Sequence, residues 1–319
     1  MSIRIIKKGL LDTVQDKGRY GHQHLGINPS GVMDFVSMRL ANALAGNDRD
    51  EAVIEMHWPA PSVVFEHDTC FAISGADVVA YLDNRIEVPV NRTVFAKAGS
   101  MLSFEKKISG ARIYLAVQGG FNTRKWLNSN STHIQLNLGG LILSTGILID
   151  DKQSSRPAVS NPGCCTWYLK SPVDLSDTTI HFIPGKEWSF LDEEMKQKFQ
   201  TCFYQIDHNS NRMAYRMNGN TLHTERSTEL VSAAVTRGTI QLLPSGQPLV
   251  LMADHQTTGG YPRIGHVISA DIPKLAQFEP GDTVRFCEIT MAEAWQRLLL
   301  LNLHLKQTEI ACKLQGTGS

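Results

Sequence analysis

The sequence predicts a mainly β protein of two domains with a few helices. Its apolar residues fall in many short runs rich in Val, Ile, Phe and Tyr, such as CFAIS, ARIYLAV and LVLMA, separated by Gly, Pro, Asn, Asp or Ser. This pattern is typical of strands joined by turns. The chain has 319 residues, of which 42% are hydrophobic, so it can bury a core and is long enough for two domains of ordinary size.

Three helices are expected between the strands. Asp34 is a suitable N-cap for a helix that continues to about Ala45 and ends at a Gly-Asn pair. Residues 187–199 place their large apolar side chains on one helical face. Thr290 and Glu293 form a capping box, which predicts the start of a last helix.

The segment 151–163 is the most linker-like part of the chain, because it is polar and is interrupted by two prolines. It divides the sequence into an N-terminal β domain at 1–150 and a C-terminal β domain at 164–319, which carries the last helix. Both halves repeat one order of features: a strand, an acidic residue, a second strand, a glycine-containing turn and a strand that ends in Phe. If an ancient duplication explains this order, Asp77 and Asp254 are equivalent positions.

Charge and composition exclude several classes of partner. The chain has 31 basic and 31 acidic residues, which are interspersed, so nucleic acid and anionic membranes are not expected to bind. No signal peptide and no apolar stretch of about 18 residues is present, which predicts a cytoplasmic protein. The six cysteines contain no CxxC pair, and this agrees with thiols in a reducing compartment.

Sequence motifs for nucleotides and metals are absent or incomplete. The chain has no GxxxxGK[ST] phosphate loop, no GxGxxG and no GxSxG nucleophile elbow. His22 and His24 are expected on one side of a strand, as in cupin metal sites, but the glutamate that such sites need shortly afterwards is missing. The alternative is that both imidazoles form hydrogen bonds at a barrel rim. We therefore expect no metal and no cofactor bound by this chain itself.

Four polar segments that contain or adjoin glycines remain as candidate binding loops: 13–34, 74–77, 210–216 and 254–262. A turn needs only a few residues, whereas the first and last segments are long and dense in hydrogen-bonding groups. Such loops suit the binding of a small polar molecule. The alternative is that each polar group only orders its own loop. The candidate binding residues are Gln15, Asp16, Arg19, His24, Ser30, Gln256, Thr257, Thr258, Gly259 and Gly260.

Motifs in these loops and in nearby strands resemble those of the allophanate hydrolase subunit 2 family. This family includes the KipI antagonist KipA, the C subunit of bacterial 5-oxoprolinase and a segment of the carboxyltransferase region of urea carboxylase. The resemblance keeps the family's order from about Ile5 to Glu293. The motifs are TVQD (13–16), GR (18–19), HLG (24–26), PSG (29–31), MD (33–34), SGAD (74–77), LAV (115–117), GG (119–120), NRM (211–213), YR (215–216), QTTGGYP (256–262) and ISAD (268–271).

The resemblance implies a fold of two cyclophilin-like β-barrel domains. It also implies a partner, the KipI-like B subunit of 5-oxoprolinase, and a further A subunit. The reaction of such a complex is the ATP-dependent opening of 5-oxo-L-proline to L-glutamate. Urea carboxylase relatives instead move a carboxyl group from carboxybiotin to an amide nitrogen. The chain lacks the Ala-Met-Lys-Met tetrapeptide that carries biotin, so in that alternative biotin would be supplied in trans.

These reactions share a carbonyl group beside an N–H, as found in a lactam, a urea and the ureido ring of biotin. The site therefore needs donors for the carbonyl oxygen and an acceptor for the N–H. Arg212, Tyr261 and the backbone amides of Gly259 and Gly260 are the candidate donors, Asp254 and Asp77 are the candidate acceptors, and Gln256 offers both functions.

The chain departs from the family pattern at two positions that usually carry arginine. The segment 128–132 reads NSNST where members have Gly-Ser-Arg-Ser-Thr, and 141–143 reads LIL where members have Gly-Arg. A lost arginine removes a strong hydrogen-bond donor from a site for an anionic substrate. The chain could therefore act on another small amide, or be a non-catalytic antagonist that binds a KipI-like partner.

Overall fold

The computed structural model describes residues 2–150, 152, 167–224 and 230–317, without the side chains of 316 and 317. The predicted linker 151–163 lies outside this part of the chain except for Lys152, and so do Cys164 and Cys165. Where the linker lies therefore stays a prediction.

The chain forms two compact units. Unit 1 comprises residues 1–19, 34–173 and 303–319, and unit 2 comprises residues 20–33 and 174–302. This division differs from the predicted one in two segments, because 20–33 belong with the later strands and 303–319 with the earlier ones. The sequence signals for a linker are local, whereas membership of a unit depends on long-range contacts.

Unit 1 contains a nine-stranded sheet, the helix α1 (Phe35–Ala45) and the C-terminal part of the last helix. The strands are β1 (Ser2–Lys7), β2 (Asp12–Gln15), β3 (Val53–His57), β4 (Ser62–Phe65), β5 (Thr69–Leu82), β6 (Ile86–Glu87), β7 (Thr93–Ala96), β8 (Met101–Val117) and β9 (Leu148–Asp150). The main order is β2-β3-β8-β4-β1-β9, and β5 pairs with β6, β7 and β8. The sheet curls around an apolar core that includes Ile5, Ile54, Phe71 and Ile113.

Unit 2 is a closed seven-stranded barrel in the order β10-β17-β14-β15-β12-β11-β18, with a separate two-stranded sheet of β13 and β16. Its strands are β10 (Thr179–Pro184), β11 (Phe203–Ile206), β12 (Ala214–Asn218), β13 (Ala233–Ala234), β14 (Thr239–Leu242), β15 (Pro248–Leu251), β16 (Thr258–Gly259), β17 (Arg263–Val267) and β18 (Thr283–Glu288). Stacked and edge-on rings of Phe182, Phe199 and Phe286 fill the barrel core. The mainly β prediction is confirmed, and the fold agrees with cyclophilin-like barrels.

The predicted starts of two helices, at Asp34 and at Thr290, are confirmed. The Asp34 carboxylate accepts a hydrogen bond from the Ser37 N–H at 3.0 Å, and α1 ends at Gly46 in the left-handed conformation. Thr290 and Glu293 bond reciprocally, at 2.8 and 3.2 Å, ahead of α4 (Met291–Thr317). None of the helices within the described residues is long and apolar enough to span a membrane.

The single helix predicted at 187–199 is wrong. The chain forms a 3₁₀ helix at Lys186–Phe190, becomes extended at Leu191, and then begins α2 (Glu193–Thr201). The Asp192 carboxylate accepts from the Met195 N–H at 2.7 Å and caps α2. An N-cap residue has extended backbone, so a cap inside an amphipathic pattern divides it into two elements. A short helix, α3 (Ile272–Ala276), lies between β17 and β18.

Two local predictions about the polar segments are also wrong. His22 and His24 do not lie on a strand, because residues Gln23–Leu25 form a 3₁₀ turn that ends at Gly26 in the left-handed conformation. Residues 74–77 are not a loop but part of β5, where the pairing with β8 shifts between Gly75 and Asp77. Gly75 has a φ of 103°, so the glycine serves a bulge inside a long strand.

Candidate functional site

A buried carboxylate, Asp16, organises the first polar segment in unit 1. One oxygen of Asp16 accepts from the hydroxyls of Ser129 and Ser131, both at 2.6 Å, and from the Gly18 N–H at 2.8 Å. The other oxygen accepts from the Asn130 N–H at 2.6 Å. We call Asp16, Arg19, Ser129, Asn130 and Ser131 the Asp16 cluster. Its carboxylate already accepts four hydrogen bonds, so its chemical role is to hold residues 129–131.

Arg19 and Gln15 pack beside the Asp16 cluster. The Arg19 guanidinium is almost fully buried, donates to the Ser131 carbonyl and lies 4.7 Å from the centroid of the Trp126 ring. The Gln15 amide nitrogen donates to the Thr13 hydroxyl at 3.0 Å and the Thr132 carbonyl at 3.3 Å. These contacts give both side chains a structural role, and the binding of a ligand by Arg19 and Gln15 stays a prediction.

A third buried polar group in unit 1 anchors α1. The Tyr114 hydroxyl donates to Glu55 and accepts from the Asp34 N–H, both at 2.9 Å. Burial, and then the nearby charge of Glu55, hold the pKa of Tyr114 well above its usual value. Tyr114 therefore stays protonated and acts as a donor that joins two strands to the start of the helix.

In unit 2 a buried ion pair joins two of the predicted catalytic residues. The Arg212 guanidinium contacts both oxygens of Asp254, through Nε at 2.8 Å and Nη2 at 3.1 Å, and also donates to the Gly31 carbonyl at 2.6 Å. The Ser30 hydroxyl donates to Asp254 at 2.6 Å. The Asn28 side chain donates to the Asp254 carbonyl at 3.0 Å. We call these four side chains, of Asn28, Ser30, Arg212 and Asp254, the Arg212 cluster.

The Arg212 cluster fastens the segment 28–31 to the barrel. Ser30 has a φ of 54° and Gly31 a φ of 92°, so the chain turns in left-handed backbone where Arg212 and Asp254 bind it. Arg237 continues the attachment by donating to the carbonyls of Val32, at 2.9 Å, and Met33. A carboxylate that accepts from a guanidinium and a hydroxyl has little free capacity for a substrate N–H.

Contacts with β14 set the course of the segment 254–262. The Gly238 N–H donates to the Leu251 carbonyl at 2.7 Å, at the first end of β14, and the Leu242 N–H donates to the Pro262 carbonyl at 2.9 Å, at the other end. These ends are about 10 Å apart, since β14 has four residues. Leu251 and Pro262 therefore lie beside opposite ends of this strand, and no hydrogen bond between described residues joins Asp254 to Tyr261.

We call residues 256–261 the ribbon. Within the ribbon, β16 pairs with β13. Thr258 faces Ala234 and Gly259 faces Ala233 in antiparallel register. Neither glycine of the pair 259–260 is among the glycines with positive φ. A Cβ on Gly259 would lie 2.4 Å from the Gln241 amide nitrogen, and one on Gly260 would lie 2.9 Å from the Leu230 carbonyl. Close packing, and not special backbone, requires these glycines.

The outer side of the ribbon is the accessible part of the predicted site. Gln256, Thr258 and Tyr261 are exposed, and Thr257, Gly259 and Gly260 are half-buried. Gln256 makes one long contact, of 3.5 Å, with Gln241. The Tyr261 hydroxyl has no hydrogen-bond partner within the described residues. The ribbon thus offers an amide and a phenol that are free to bind a small polar molecule.

Two histidines in this part of unit 2, His255 and His266, have lowered pKa values. His255 is buried, and its Nδ1 lies 2.5 Å from the Gln256 carbonyl. Burial lowers the pKa of His255, and burial followed by the charge of His255 lowers the pKa of His266. These shifts favour the neutral imidazole at both positions, and Nδ1 of His255 lies where it can donate to the Gln256 carbonyl.

Two other predicted residues stand apart from these clusters. Asp77 is exposed in the middle of β5, and His24 is exposed on the 3₁₀ turn. The predicted equivalence of Asp77 and Asp254 stays a prediction, although the former lies within a strand and the latter follows one. Among the described residues no three His, Cys, Asp or Glu side chains are grouped closely enough to hold a metal ion.

Sequence reasoning missed several residues that organise these clusters. The sequence assigns no role to Ser129, Ser131, Asn28 or Arg237. The serines carried a local signal, because Ser129 and Ser131 flank Asn130 with two hydroxyls. Arg237 carried none, since its acceptors lie about 200 positions away in the chain.

The fold and the anchored loops first define the class: a mainly β protein of one closed barrel and one curled sheet, each with a polar loop held by a buried arginine or carboxylate. The particular family follows from comparison with known proteins. The chain belongs to the family of the carboxyltransferase domain, subdomain A and B, whose family model matches residues 25–288.

Named relatives come from two kinds of enzyme. The chain is 36% identical to the 5-oxoprolinase C subunit of Escherichia coli over 295 residues, which cover 92% of this chain and 93% of that protein. It is 34% identical to the 5-oxoprolinase C subunit of Haemophilus influenzae, over 88% of this chain and 89% of that protein. The crystal structure of Kluyveromyces lactis urea carboxylase matches with a TM-score of 0.87 and 27% identity, over 96% of this chain and 29% of that chain.

Proposed function

We propose that this chain belongs to an ATP-dependent 5-oxoprolinase complex, in which it converts 5-oxo-L-proline to L-glutamate together with a KipI-like B subunit. One observation carries the proposal. The similarity to the C subunit of 5-oxoprolinase extends over 92% of this chain and 93% of the Escherichia coli protein, whereas the match to urea carboxylase covers 29% of that longer chain. The similarity therefore supports the role of a C subunit more directly than the role of one part of a longer enzyme.

In this reaction the lactam C–N bond breaks, water supplies a hydroxyl to the carbonyl carbon, and the ring nitrogen takes a proton. ATP hydrolysis by the complex drives the step. Donors must meet the lactam oxygen as its charge develops, and an acceptor must meet the N–H. We assign the outer side of the ribbon to this task, with the Tyr261 hydroxyl as donor and the Gln256 amide as the group that pairs with the lactam edge.

The buried clusters have supporting roles in this proposal. Arg212 and Asp254 hold the start of the ribbon, and Asp16 holds residues 129–131. Both would then affect activity by positioning and not by contact with the lactam. Asp77 is exposed and carries no described side-chain contact, and its role as an acceptor stays a prediction from the sequence.

Carboxyl transfer is the second candidate function. The family model and the urea carboxylase structure favour it, because both concern carboxyltransferase domains. In that case biotin would come from another protein, and the acceptor would be urea or another small amide. The same ribbon would bind it, since a urea also presents a carbonyl beside an N–H.

The test is reconstitution with the KipI-like B subunit and with the A subunit. We expect 5-oxoproline-dependent ATP hydrolysis and glutamate formation from the complex, and neither from this chain alone. Turnover of 5-oxoproline by the isolated chain would contradict the proposal that the complex is required. Carboxylation of urea by carboxybiotin in place of glutamate formation would favour the second candidate. A complex whose activity falls when this chain is added would identify an antagonist.

Tyr261→Phe tests the ribbon within the active complex. The change removes one exposed hydroxyl, so melting temperature and assembly of the complex should be unchanged while turnover falls at least tenfold, toward the roughly 100- to 1000-fold cost of a lost oxyanion donor. Tyr168→Phe is the matched control, because Tyr168 is an exposed tyrosine of unit 1. Equal activity of the two variants would remove Tyr261 from the site.

A further inference from the structure

The helix α4 carries a row of large apolar side chains that the described residues of the chain leave exposed. Seven of these residues are between 48% and 68% exposed: Met291, Trp295, Leu299, Leu300, Leu303, Ile310 and Leu314. The opposite side of the helix holds the buried Leu305 and Cys312. We call the seven exposed residues the apolar row. A soluble helix normally presents polar residues on the side away from the core.

A cleft of about 670 Å³ adjoins the C-terminal part of this row. Its walls come from the end of α1, the turn after it, and the side of α4 that includes Lys306 and Ile310. Ala43, Ile310 and the stems of Lys306 and Lys313 give it apolar surface, and Asp48 and Asp50 make its rim polar. An indole fits such a cleft, with its ring on the apolar wall and its N–H at the polar rim.

We propose that the apolar row is the interface with a second copy of this chain, and that Trp295 of each copy enters the cleft beside Ile310 of the other. In an antiparallel pair of α4 helices, the N-terminal part of one row faces the C-terminal part of the other. Trp295 and Leu299 are four residues apart, and so are Ile310 and Leu314. The first pair of one copy can therefore contact the second pair of the other copy, and the reverse contact forms at the same time, as in a two-fold interface.

Area and charge favour a second copy as the occupant. The seven side chains expose on the order of 700 Å² per copy, close to the roughly 800 Å² that each partner contributes to a stable interface. The chain has 31 basic and 31 acidic residues, so two copies do not repel each other. A buried tryptophan at the centre of such a contact is typical of residues that dominate binding energy.

Sedimentation of the full chain measures the state of assembly. We expect a dimer, twice the 35.4 kDa of the chain, at micromolar concentration. Trp295→Glu should shift the dissociation constant at least a hundredfold toward monomer, because it places a charge in the cleft. Ile108→Glu is the control, since Ile108 is 58% exposed on β8, outside α4, and should leave the dimer intact.

A cross-link tests the orientation. A Leu299→Cys, Ile310→Cys double variant should form covalent dimers under mild oxidation, whereas either single variant should form far fewer. A monomeric wild type, or a Trp295→Glu variant with normal secondary structure that remains dimeric, would overturn the proposal. If the wild type is monomeric and Trp295→Glu no longer binds the KipI-like partner, the row binds that partner and the second-copy interface is wrong.

Discussion

Replacing Asp16 by Asn tests whether this predicted binding residue is structural. The Asp16 carboxylate accepts four hydrogen bonds, three at one oxygen and one at the other. Asparagine has nearly the same shape but only one oxygen. If that oxygen keeps the three contacts, the new NH₂ group points at the Asn130 N–H, and two donors then face each other.

The loss can be estimated from these contacts. A hydrogen bond to a charged group contributes about 1.5–3 kcal/mol, and a buried donor without an acceptor costs about 1–3 kcal/mol. The three retained bonds also weaken, because the acceptor is now neutral. We expect Asp16→Asn to lower the free energy of unfolding by about 3 kcal/mol. For a unit of this size that corresponds to a fall of roughly 6–12 °C in melting temperature.

The assay is thermal and urea unfolding of the isolated chain, followed by turnover of the assembled complex. Asp150→Asn is the matched control: it is the same substitution in the same unit, at an exposed side chain outside the candidate site, and should change stability by less than about 0.5 kcal/mol and leave turnover unchanged. If Asp16→Asn melts within about 2 °C of the wild type and still loses turnover, Asp16 contacts substrate and the structural interpretation is wrong.

Three further changes test other parts of the molecule. Arg212→Lys keeps the charge but loses the two-pronged contact with Asp254, so urea unfolding should show a loss of about 2–4 kcal/mol; an unchanged midpoint would contradict this. Burial raises the pKa of Asp12 to about 6, because the folded chain favours the protonated carboxyl. The stability that this proton gives is complete below about pH 4 and is lost as the pH rises through 6. Asp12→Asn should therefore gain up to about 3 kcal/mol over the wild type at pH 7.5 and nothing at pH 3.5, as measured by unfolding at both values. Gly259→Ala should displace the Gln241 side chain and reduce turnover without affecting assembly of the complex; full turnover would show that the ribbon tolerates movement.

Local sequence signals predicted the elements that depend on local chemistry. Asp34 begins α1, and the Thr290–Glu293 box begins α4, because a cap is formed by residues within one turn. The predictions that failed concern elements that depend on residues far away in the chain. The segment 74–77 has turn composition but lies in β5, since its partner strand is more than 30 positions away. A bulge in a long strand and a turn both require glycine.

Burial divides the predicted site residues in a way that sequence cannot. Arg212 and Asp16 are polar residues beside glycines, and so are Gln256 and Tyr261, so composition treats all four alike. In the folded chain the first two are buried and bonded to backbone and side chains, whereas the other two are exposed. A group whose hydrogen-bonding capacity is already used cannot also bind a substrate without losing those bonds. Substitutions at the buried pair should therefore lower stability and turnover together, while substitutions at the exposed pair should lower turnover at constant melting temperature.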